Sequence, residues 1–545
     1  MSNTRRPWAI AAAAALAAAT MLSGCGSTGG DAAKTATDNI ISIAASEPQN
    51  PLVPGNTLET GGGQVNDVLF SGLVGFKADG TAVNEVADKI TPNADNTKFD
   101  VTLKSGWKFT DGTPVTSESF TKAWSYTANA KNAQLNSSFF SMIKGYDDLQ
   151  KDGLKGDEQL SGLKVTDDTH FTVTLNAPYS VFPTMLAYMG FDPLPEGFYK
   201  DPKGYGEKPV GNGPYKFKSW SHNQSIEVVP NPYYKGYYKA KNDRVTYKIY
   251  TDPKAQYADV QGGNLDVTNT VPATALKNLL TDKTVNAYSK AGPNRIALGI
   301  PTDLKHFSGE EGTLRRKAIS MAIDRETLCK KIMNGLASPS QEFSSPTING
   351  FSDSLKGSDV LKHNAEEAKK LWAEADKISP WDGDFTITYN ADGASLKETY
   401  EAVANQLKNT LGIDAKASGM PTKQEYLTAL SDGTLNTAYN DNWGPDYPSL
   451  ENYLKPIYSS SAADSGSNFD KYRSTEFDSL LDKAAAASST DEANSIYQQA
   501  EEVLLRDLPS IPIYNVNALG VTTKDLKGVE FNWGGNPVLS FITKQ

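Results

Sequence analysis

Residues 385–417, FTITYNADGASLKETYEAVANQLKNTLGIDAKA, decide the fold class of this chain. The alternation of apolar and polar residues from Phe385 to Tyr389 predicts a strand, and Ile413 to Ala417 repeats that character. Ser395 to Leu411, which lies between them, has the length and spacing of a helix. A strand, a helix and a second strand in this order predict two parallel strands joined by a right-handed crossover. We therefore expect an α/β fold.

Short strands and helices alternate along most of the remaining chain. Alternating apolar residues predict further strands near Ile41, at Phe99–Leu103, at Thr169–Leu175, at Asn436–Asn440 and at Ile511–Tyr514. Ser117, Thr313 and Asn364 are expected N-caps of helices, and further helical patterns begin at or near Asp324, Lys423 and Asp491. A chain of 545 residues has room for about two to four domains of this kind.

The composition excludes several classes of function. The chain carries 53 Lys and Arg against 64 Asp and Glu, a formal charge of −11, and it has no basic run. A nucleic-acid binder needs a basic face to displace counterions, so we expect no nucleic-acid partner. Two cysteines and four histidines form no zinc site of standard spacing. We therefore expect no metal and no cofactor.

The N-terminus predicts the location of the protein. Arg5 and Arg6 precede an apolar, alanine-rich stretch from Trp8 to Met21, which is too short to span a bilayer as a mature helix. The stretch ends in Leu22-Ser23-Gly24-Cys25, which resembles the bacterial lipobox. Residues 1–24 are therefore interpreted as a lipoprotein signal peptide, and Cys25 as the acylated first residue of the mature chain.

A flexible tether is predicted at 25–38, because these residues are rich in Gly, Ser, Thr and Ala and show no apolar periodicity. No later segment approaches 18 consecutive apolar residues. We expect the remainder to lie on the extracytoplasmic face of the bacterial cell membrane, held there by the lipid on Cys25. The other cysteine, Cys329, lies in a helical apolar pattern and is expected to be a buried, unreactive side chain.

Sequence motifs of common enzymes are missing from the chain. It contains no G-x-S-x-G, H-E-x-x-H, G-x-G-x-x-G or phosphate-binding G-x-x-x-x-G-K-[ST] sequence. One carboxylate pair, Asp441 and Asp446, shares a loop, and a glycosidase can be built from two such groups. A secreted hydrolase therefore stays open as an alternative.

Five short segments are the most informative about function. They are Lys98–Phe120 (KFDVTLKSGWKFTDGTPVTSESF), Gly211–Phe217 (GNGPYKF), Asn231–Gly236 (NPYYKG), Arg316–Arg325 (RKAISMAIDR) and Asp507–Tyr514 (DLPSIPIY). Together and in this order they resemble the family 5 extracellular solute-binding proteins of ABC transporters, which include oligopeptide and dipeptide binders. Glycines and prolines in these segments set turns and the aromatic residues fill the core, so we expect them to be structural.

The resemblance implies a two-lobed, periplasmic-binding-protein-like α/β fold with a hinge and an extra inserted subdomain. Its expected bounds are 39–70, 205–290 and 509–545 for lobe I, 71–204 for the subdomain inserted in lobe I, and 291–508 for lobe II. It also implies a monomer that performs no chemistry. Such a protein captures a ligand between its lobes and delivers it to an ABC permease, while separate subunits hydrolyse ATP.

The resemblance also points to one loop, Tyr439–Pro448. In the oligopeptide-binding members a Trp-x-x-Asp-Tyr pattern at this place supplies the Asp that pairs with the α-ammonium of the peptide. Trp443, Asp446 and Tyr447 match that pattern. Backbone groups around the Trp, here Asn442 to Gly444, pair with the extended ligand as an added strand. A second backbone contact in the family corresponds to Leu58, Glu59 and Thr60.

The predicted ligand is therefore a peptide, with oligopeptides favoured. An oligosaccharide is the alternative within the same family, because the 25 tyrosines of the chain suit stacking on sugars. A surface adhesin or a sensor component is a further alternative that requires no permease.

Overall fold

A computed structural model describes residues 39–545. Cys25, the predicted signal peptide at 1–24 and the predicted tether at 25–38 lie outside the described residues. Numbered in chain order, the strands are β1 (Ile40–Ala45), β2 (Val74–Phe76), β3 (Ala82–Asn84), β4 (Ala87–Pro92), β5 (Lys98–Leu103), β6 (Leu163–Asp167), β7 (His170–Thr174), β8 (Tyr215–Ser221), β9 (Ser225–Pro230), β10 (Arg244–Ile249), β11 (Val267–Thr268), β12 (Asn286–Gly299), β13 (Ala337–Pro339), β14 (Asp384–Asn390), β15 (Asp414–Met420), β16 (Ala438–Trp443), β17 (Ser510–Thr522), β18 (Leu526–Lys527) and β19 (Thr543–Lys544).

The helices are numbered in the same way. They are α1 (Thr60–Leu69), α2 (Ser117–Ala128), α3 (Phe182–Met185), α4 (Pro202–Tyr205), α5 (Pro253–Gln261), α6 (Ala273–Leu276), α7 (Gly309–Ala322), α8 (Arg325–Thr327), α9 (Ala365–Ile378), α10 (Leu396–Leu411), α11 (Lys423–Ser431), α12 (Leu450–Tyr458), α13 (Ala462–Ser465), α14 (Thr475–Ala485) and α15 (Thr490–Asp507). None of the helices in the described part is both long and apolar enough to cross a bilayer.

The largest sheet of the described residues has eleven strands. Its order is β15-β14-β16-β12-β17-β11-β1-β10-β9-β8, and β13 pairs separately with β17. The βαβ unit predicted from residues 385–417 is confirmed, because β14 and β15 are parallel and α10 connects them. Tyr400, Val403 and Leu407 of α10 are buried, which gives the crossover helix its apolar face.

Two long strands, β12 and β17, run through the middle of this sheet. Their register breaks between the pair Ala291–Asn517 and the pair Arg295–Asn515, so that Gly292, Pro293 and Asn294 stand opposite a single residue of β17. Extra residues in one strand bend it, and a proline removes a ladder donor. We call this break in the pairing of β12 with β17 the crossing. It divides each of the two strands into two parts.

Some element boundaries differ from the sequence predictions. The N-cap of α2 is Thr116, where Ser117 was expected, and α7 begins at Gly309, well before the expected cap Thr313. The expected cap Asn364 is confirmed, since its side chain accepts a hydrogen bond from the Glu367 N–H. Cys329 is buried as expected, and burial raises the pKa of its thiol to about 12.

A separate four-stranded sheet, β4-β5-β7-β6, lies within the range predicted as an insertion. Its core is aromatic: Trp124 of α2 packs against Phe171 and Phe191, and its Nε1 donates to the Phe191 carbonyl at 2.8 Å. This part of the chain contacts the far end of α14. The Ser180 N–H donates to the Ala485 carbonyl at 2.8 Å, and Asn96 Nδ2 donates to the Ala487 carbonyl at 2.6 Å.

Candidate functional site

The end of β16 has one unpaired edge. On one side Asn442 and Trp443 are paired with Ile296 and Arg295 of β12. On the other side β14 pairs only with Ala438 and Tyr439, and no strand of the described residues continues that ladder over 441–443. Free backbone donors and acceptors on such an edge can accept an extended chain as an additional strand.

A single buried side chain organises the loop that follows. Asn452, which is 4 % exposed on α12, accepts a hydrogen bond from the Asp446 N–H at 2.9 Å with its Oδ1. Its Nδ2 donates to Asp446 Oδ2 at 3.4 Å. The main-chain carbonyl of Asn452 accepts a hydrogen bond from Trp443 Nε1 at 2.8 Å. Asn452 therefore fixes both Trp443 and Asp446, although the sequence reading did not select it.

Asp446 is a carboxylate without a cationic partner in the described structure. Solvent reaches the side chain, yet desolvation by the surrounding protein raises its pKa above the usual range of an aspartate. The hydrogen bond from Asn452 lowers the pKa only in part, and no lysine or arginine contributes. An ammonium group placed here would supply the missing charge and a directed hydrogen bond.

The other residues predicted for this loop have different surroundings. Asn442 and Gly444 are exposed and Trp443 is half-buried, so all three border solvent. Tyr447 is buried, and its hydroxyl lies 2.9 Å from the Tyr179 hydroxyl and donates to Glu451 Oε2 at 2.6 Å. Tyr447 therefore joins the loop to the part of the chain that carries the four-stranded sheet.

Asp441 does not form a carboxylate pair with Asp446. Its Oδ2 accepts a hydrogen bond from Arg295 Nη2 at 2.7 Å, and Arg295 is fully buried. The same guanidinium donates to the Tyr458 hydroxyl at 2.7 Å. Asp441 therefore belongs to an internal ion pair, which is the role expected of a buried acid that neutralises a buried arginine.

The predicted second contact, Leu58 to Thr60, lies at the start of α1. Glu59 is the N-cap, and its carboxylate accepts hydrogen bonds from the Gly62 N–H at 2.9 Å and the Gln49 N–H at 3.2 Å. Leu58 is 56 % exposed and Thr60 is also exposed. As the N-cap, the Glu59 carboxylate is bound to the backbone of α1.

A cavity of about 300 Å³ lies at the crossing. We call it the hinge pocket; its walls include Asn269, Asn294 and Asn517, and no charged side chain lines it. The side chain of Asn294 lies directly against Gly444 of the loop. Asn269 Nδ2 and Gln64 Nε2 of α1 both donate to Asn536 Oδ1, at 3.0 Å and 3.4 Å. Residues of the pocket wall are therefore linked by contacts to α1 and to the loop that carries Asp446.

A larger groove of about 800 Å³ lies elsewhere, among α7, α9, α14 and α15. Lys317, Leu371, Leu480 and Arg506 are among its lining residues, and it contains none of the residues predicted for the site. We place the candidate site at the loop that Asn294 of the hinge pocket contacts, because an unpaired carboxylate and a free strand edge meet in that loop.

The sequence and the fold of this chain are both similar to those of known proteins. Residues 81–465 match the profile of the bacterial extracellular solute-binding proteins, family 5 Middle. The dipeptide-binding protein DppE of Bacillus subtilis is 27 % identical over 549 residues, which cover 97 % of this chain and 97 % of DppE. The oligopeptide-binding protein OppA of the same organism is 25 % identical over 493 residues, 88 % of each chain.

A solved structure of the murein tripeptide-binding protein MppA in its unliganded open form has the same fold. It superposes with a TM-score of 0.81 at 23 % identity, over 93 % of this chain and 98 % of MppA. The fold is the two-lobed fold of periplasmic peptide-binding proteins, built here around a large mixed sheet.

Proposed function

Because the chain belongs to the family 5 bacterial extracellular solute-binding proteins, which bind solutes for ABC transporters and catalyse no reaction, we propose that it captures peptides, and oligopeptides in particular, for an ABC importer. The observation that carries the proposal is the meeting of two features in one loop. Asp446 lacks a cation, and residues 441–443 beside it present a free strand edge. A peptide amino terminus has the matching features, an ammonium group followed by an extended main chain.

The main-chain contacts and the contact of the ammonium group with Asp446 have different roles in recognition. Pairing along 441–443 is independent of side-chain identity, so peptides of many sequences can bind there. Asp446 fixes the direction of the peptide, since an enclosed ammonium must be neutralised. Leu58, Glu59 and Thr60 are proposed to contribute backbone contacts from the opposite wall.

Ligand capture is proposed to proceed by closure of two lobes about the crossing. Lobe I comprises 39–70, 205–290 and 509–545 with 71–204 inserted, and lobe II comprises 291–508. Gly292, Pro293 and Asn294 lie at this boundary, where the β12 ladder is interrupted. A short interruption in β12, which runs from one lobe into the other, is a suitable place for hinge bending.

The complete assembly is proposed to include a permease and ATPase subunits that receive the ligand. The protein itself is proposed to be a monomer at the extracytoplasmic face of the bacterial membrane, anchored by lipid on Cys25. The curated relatives DppE and OppA, which bind a dipeptide and an oligopeptide by name, support peptides over other solutes.

Calorimetric titration tests the proposal. The protein is refolded to remove carried-over ligand and titrated with a pool of tri- to octapeptides, either free or N-acetylated. We expect heat from the free pool alone, and we expect Asp446→Asn to weaken binding by about 2–5 kcal/mol, the cost of removing one partner of an enclosed charge pair. Asp432→Asn, at an exposed position beyond α11, is the matched control and should bind as the wild type does.

The other outcomes separate the alternatives. Equal binding of free and acetylated pools would keep peptides as ligands but remove Asp446 as the ammonium anchor. No heat from either pool would contradict peptide binding, and oligosaccharides would then be titrated next.

A further inference from the structure

One short segment, residues 232–241, carries a surface that peptide capture does not use. Its sequence, PYYKGYYKAK, has four tyrosines, three lysines and no acidic residue, in a chain whose formal charge is −11. Every second residue from 233 to 241 is exposed, and these five are Tyr233, Lys235, Tyr237, Lys239 and Lys241. We call them the tyrosine–lysine strip. All of its members are aromatic or basic.

The aromatic side chain at the centre of the strip rests on a fixed base. Tyr237 is 55 % exposed, and its ring packs edge-on against Tyr238 at 5.0 Å and against Phe541 at 5.7 Å between centroids. The Tyr238 hydroxyl donates to the Phe76 carbonyl at 2.7 Å, and the Lys241 ammonium lies 4.8 Å from the centre of the Phe541 ring. Tyrosine combines an apolar ring with a polar hydroxyl, which suits the boundary between a bilayer and water.

The other end of the strip has the same character. Tyr234 is buried, but its neighbour Tyr233 is 42 % exposed. The ammonium of Lys108, from a different part of the chain, lies 5.6 Å from the centre of the Tyr233 ring. Lys235 Nζ donates to the Ser105 carbonyl at 3.4 Å. Aromatic and basic side chains therefore alternate along the whole strip.

The strip ends at the residue where the described chain begins. Asn39 Nδ2 donates to the Lys241 carbonyl at 2.9 Å. The Asn39 N–H donates to Asp243 Oδ2 at 3.1 Å, and Asp243 is the first acid after the strip. Asn39 follows Cys25, the proposed site of lipidation, by 14 residues, which reach at most about 50 Å. A lipid on Cys25 would therefore hold this end of the strip within that distance of the membrane.

Two kinds of interaction favour contact between such a strip and a bilayer. Lysines are attracted to anionic headgroups, and this attraction falls off within about 10 Å. Tyrosine rings settle at the level of the headgroups. Since the chain as a whole is negatively charged, attraction to an anionic surface favours the face that carries the strip.

We propose that the tyrosine–lysine strip contacts the anionic phospholipid surface of the membrane and sets the orientation of the anchored protein. The inference goes beyond peptide capture, and it rests on the proposed lipid at Cys25. Residues 232–241 belong to the proposed lobe I, so lobe I lies against the membrane. Lobe II then stays free to move when the two lobes close on a ligand.

Lysine labelling on vesicles tests the contact. The lipid-anchored chain is purified in mild detergent and inserted from outside into vesicles of phosphatidylglycerol or of phosphatidylcholine. A water-soluble reagent acetylates the exposed lysines, and mass spectrometry gives the rate at each position. We expect Lys239 and Lys241 to react about fivefold or more slowly on phosphatidylglycerol than in detergent. Lys408, exposed on α10, should react at the same rate in both.

Tyr237→Ser removes the most exposed ring and leaves both reporter lysines. In this variant we expect the protection of Lys239 and Lys241 to fall to about twofold or less. Leu427→Ser, at an exposed position of α11, is the matched control and should keep the full protection. Peptide titration of Tyr237→Ser should give the wild-type affinity, because the strip contains none of the residues proposed for peptide capture.

Several results would overturn the membrane contact. One is unchanged reactivity of Lys239 and Lys241 when the chain is retained on phosphatidylglycerol vesicles, and another is full protection that persists in Tyr237→Ser. Protection by soluble polyphosphate in detergent, with none on vesicles, would assign the strip to a polyanion and contradict the contact. If the vesicles do not retain the chain, the proposed lipid anchor and the contact fail together, while peptide binding is judged separately by calorimetry.

Discussion

Glu501 and Glu342 make the stability of this protein fall as the pH rises. Both side chains are fully buried, and neither oxygen of Glu501 has a hydrogen-bond donor among the described residues. Glu342 accepts a hydrogen bond from Ser344 Oγ at 2.6 Å. Desolvation raises the pKa of both groups, and the charge of Glu342 raises that of Glu501 further. The folded pair therefore retains a proton, which Glu501 carries.

The size of the effect follows from proton linkage. A glutamate in the unfolded chain loses its proton near pH 4.3, whereas Glu501 keeps it to a pH well above that value. Because the folded pKa is raised, the stabilising contribution is complete at low pH and is lost as the pH rises toward that pKa. One retained proton corresponds to about 1.4 kcal/mol of stability lost for each pH unit between the unfolded and the folded pKa.

Glu501→Gln removes this titration and keeps the shape of the side chain. We expect the variant to equal the wild type in free energy of unfolding near pH 4.5 and to exceed it as the pH rises, by about 1.4 kcal/mol per pH unit for as long as the folded Glu501 keeps its proton. Urea titrations followed by circular dichroism at several pH values measure the difference. Glu530→Gln, at an exposed position, is the control and should follow the wild-type curve. A difference between Glu501→Gln and wild type that stays constant with pH would refute the reasoning.

Three further substitutions test the site and its support. Asn452→Ala removes both side-chain contacts to the binding loop, so peptide affinity should fall by about 1–3 kcal/mol in calorimetry. Arg295→Met leaves the buried Asp441 without its cation and should lower the free energy of unfolding by about 3–5 kcal/mol in urea titrations. Gly444→Ala places a Cβ against the side chain of Asn294, so affinity should fall and the second change Asn294→Ala should restore it; no recovery in the double variant would contradict that contact.

The fold was largely predictable because its signals are local. The strand, helix and strand of 385–417 each carry their own periodicity, and their parallel pairing follows from the connection alone. The length of β17 was not predictable in this way. Its alternation is clear only over Ile511–Tyr514, and the strand continues to Thr522 because β12 pairs with it along its whole length.

The candidate site was predictable only in part. Asp446 was found through a short motif, and Asn452, six residues later, left one signal, a polar residue among the buried apolar positions of α12. Asn536 and Gln64 left none, because these two hydrogen-bonded residues are 472 positions apart.

Two consecutive residues of α12 hold the binding loop and the crossing in place. Asn452 holds Asp446, and the hydroxyl of Tyr453 donates to the carbonyl of Pro293 at the crossing. Ser345 Oγ also donates to the Gly292 carbonyl at 2.7 Å. The bulge is therefore fixed to α12 and its surroundings, so we expect the proposed bending to occur on the side of the crossing that faces β11 and β1. A ligand held by Asp446 and by α1, as we propose, would contact both sides of the bend, and its capture would then favour closure.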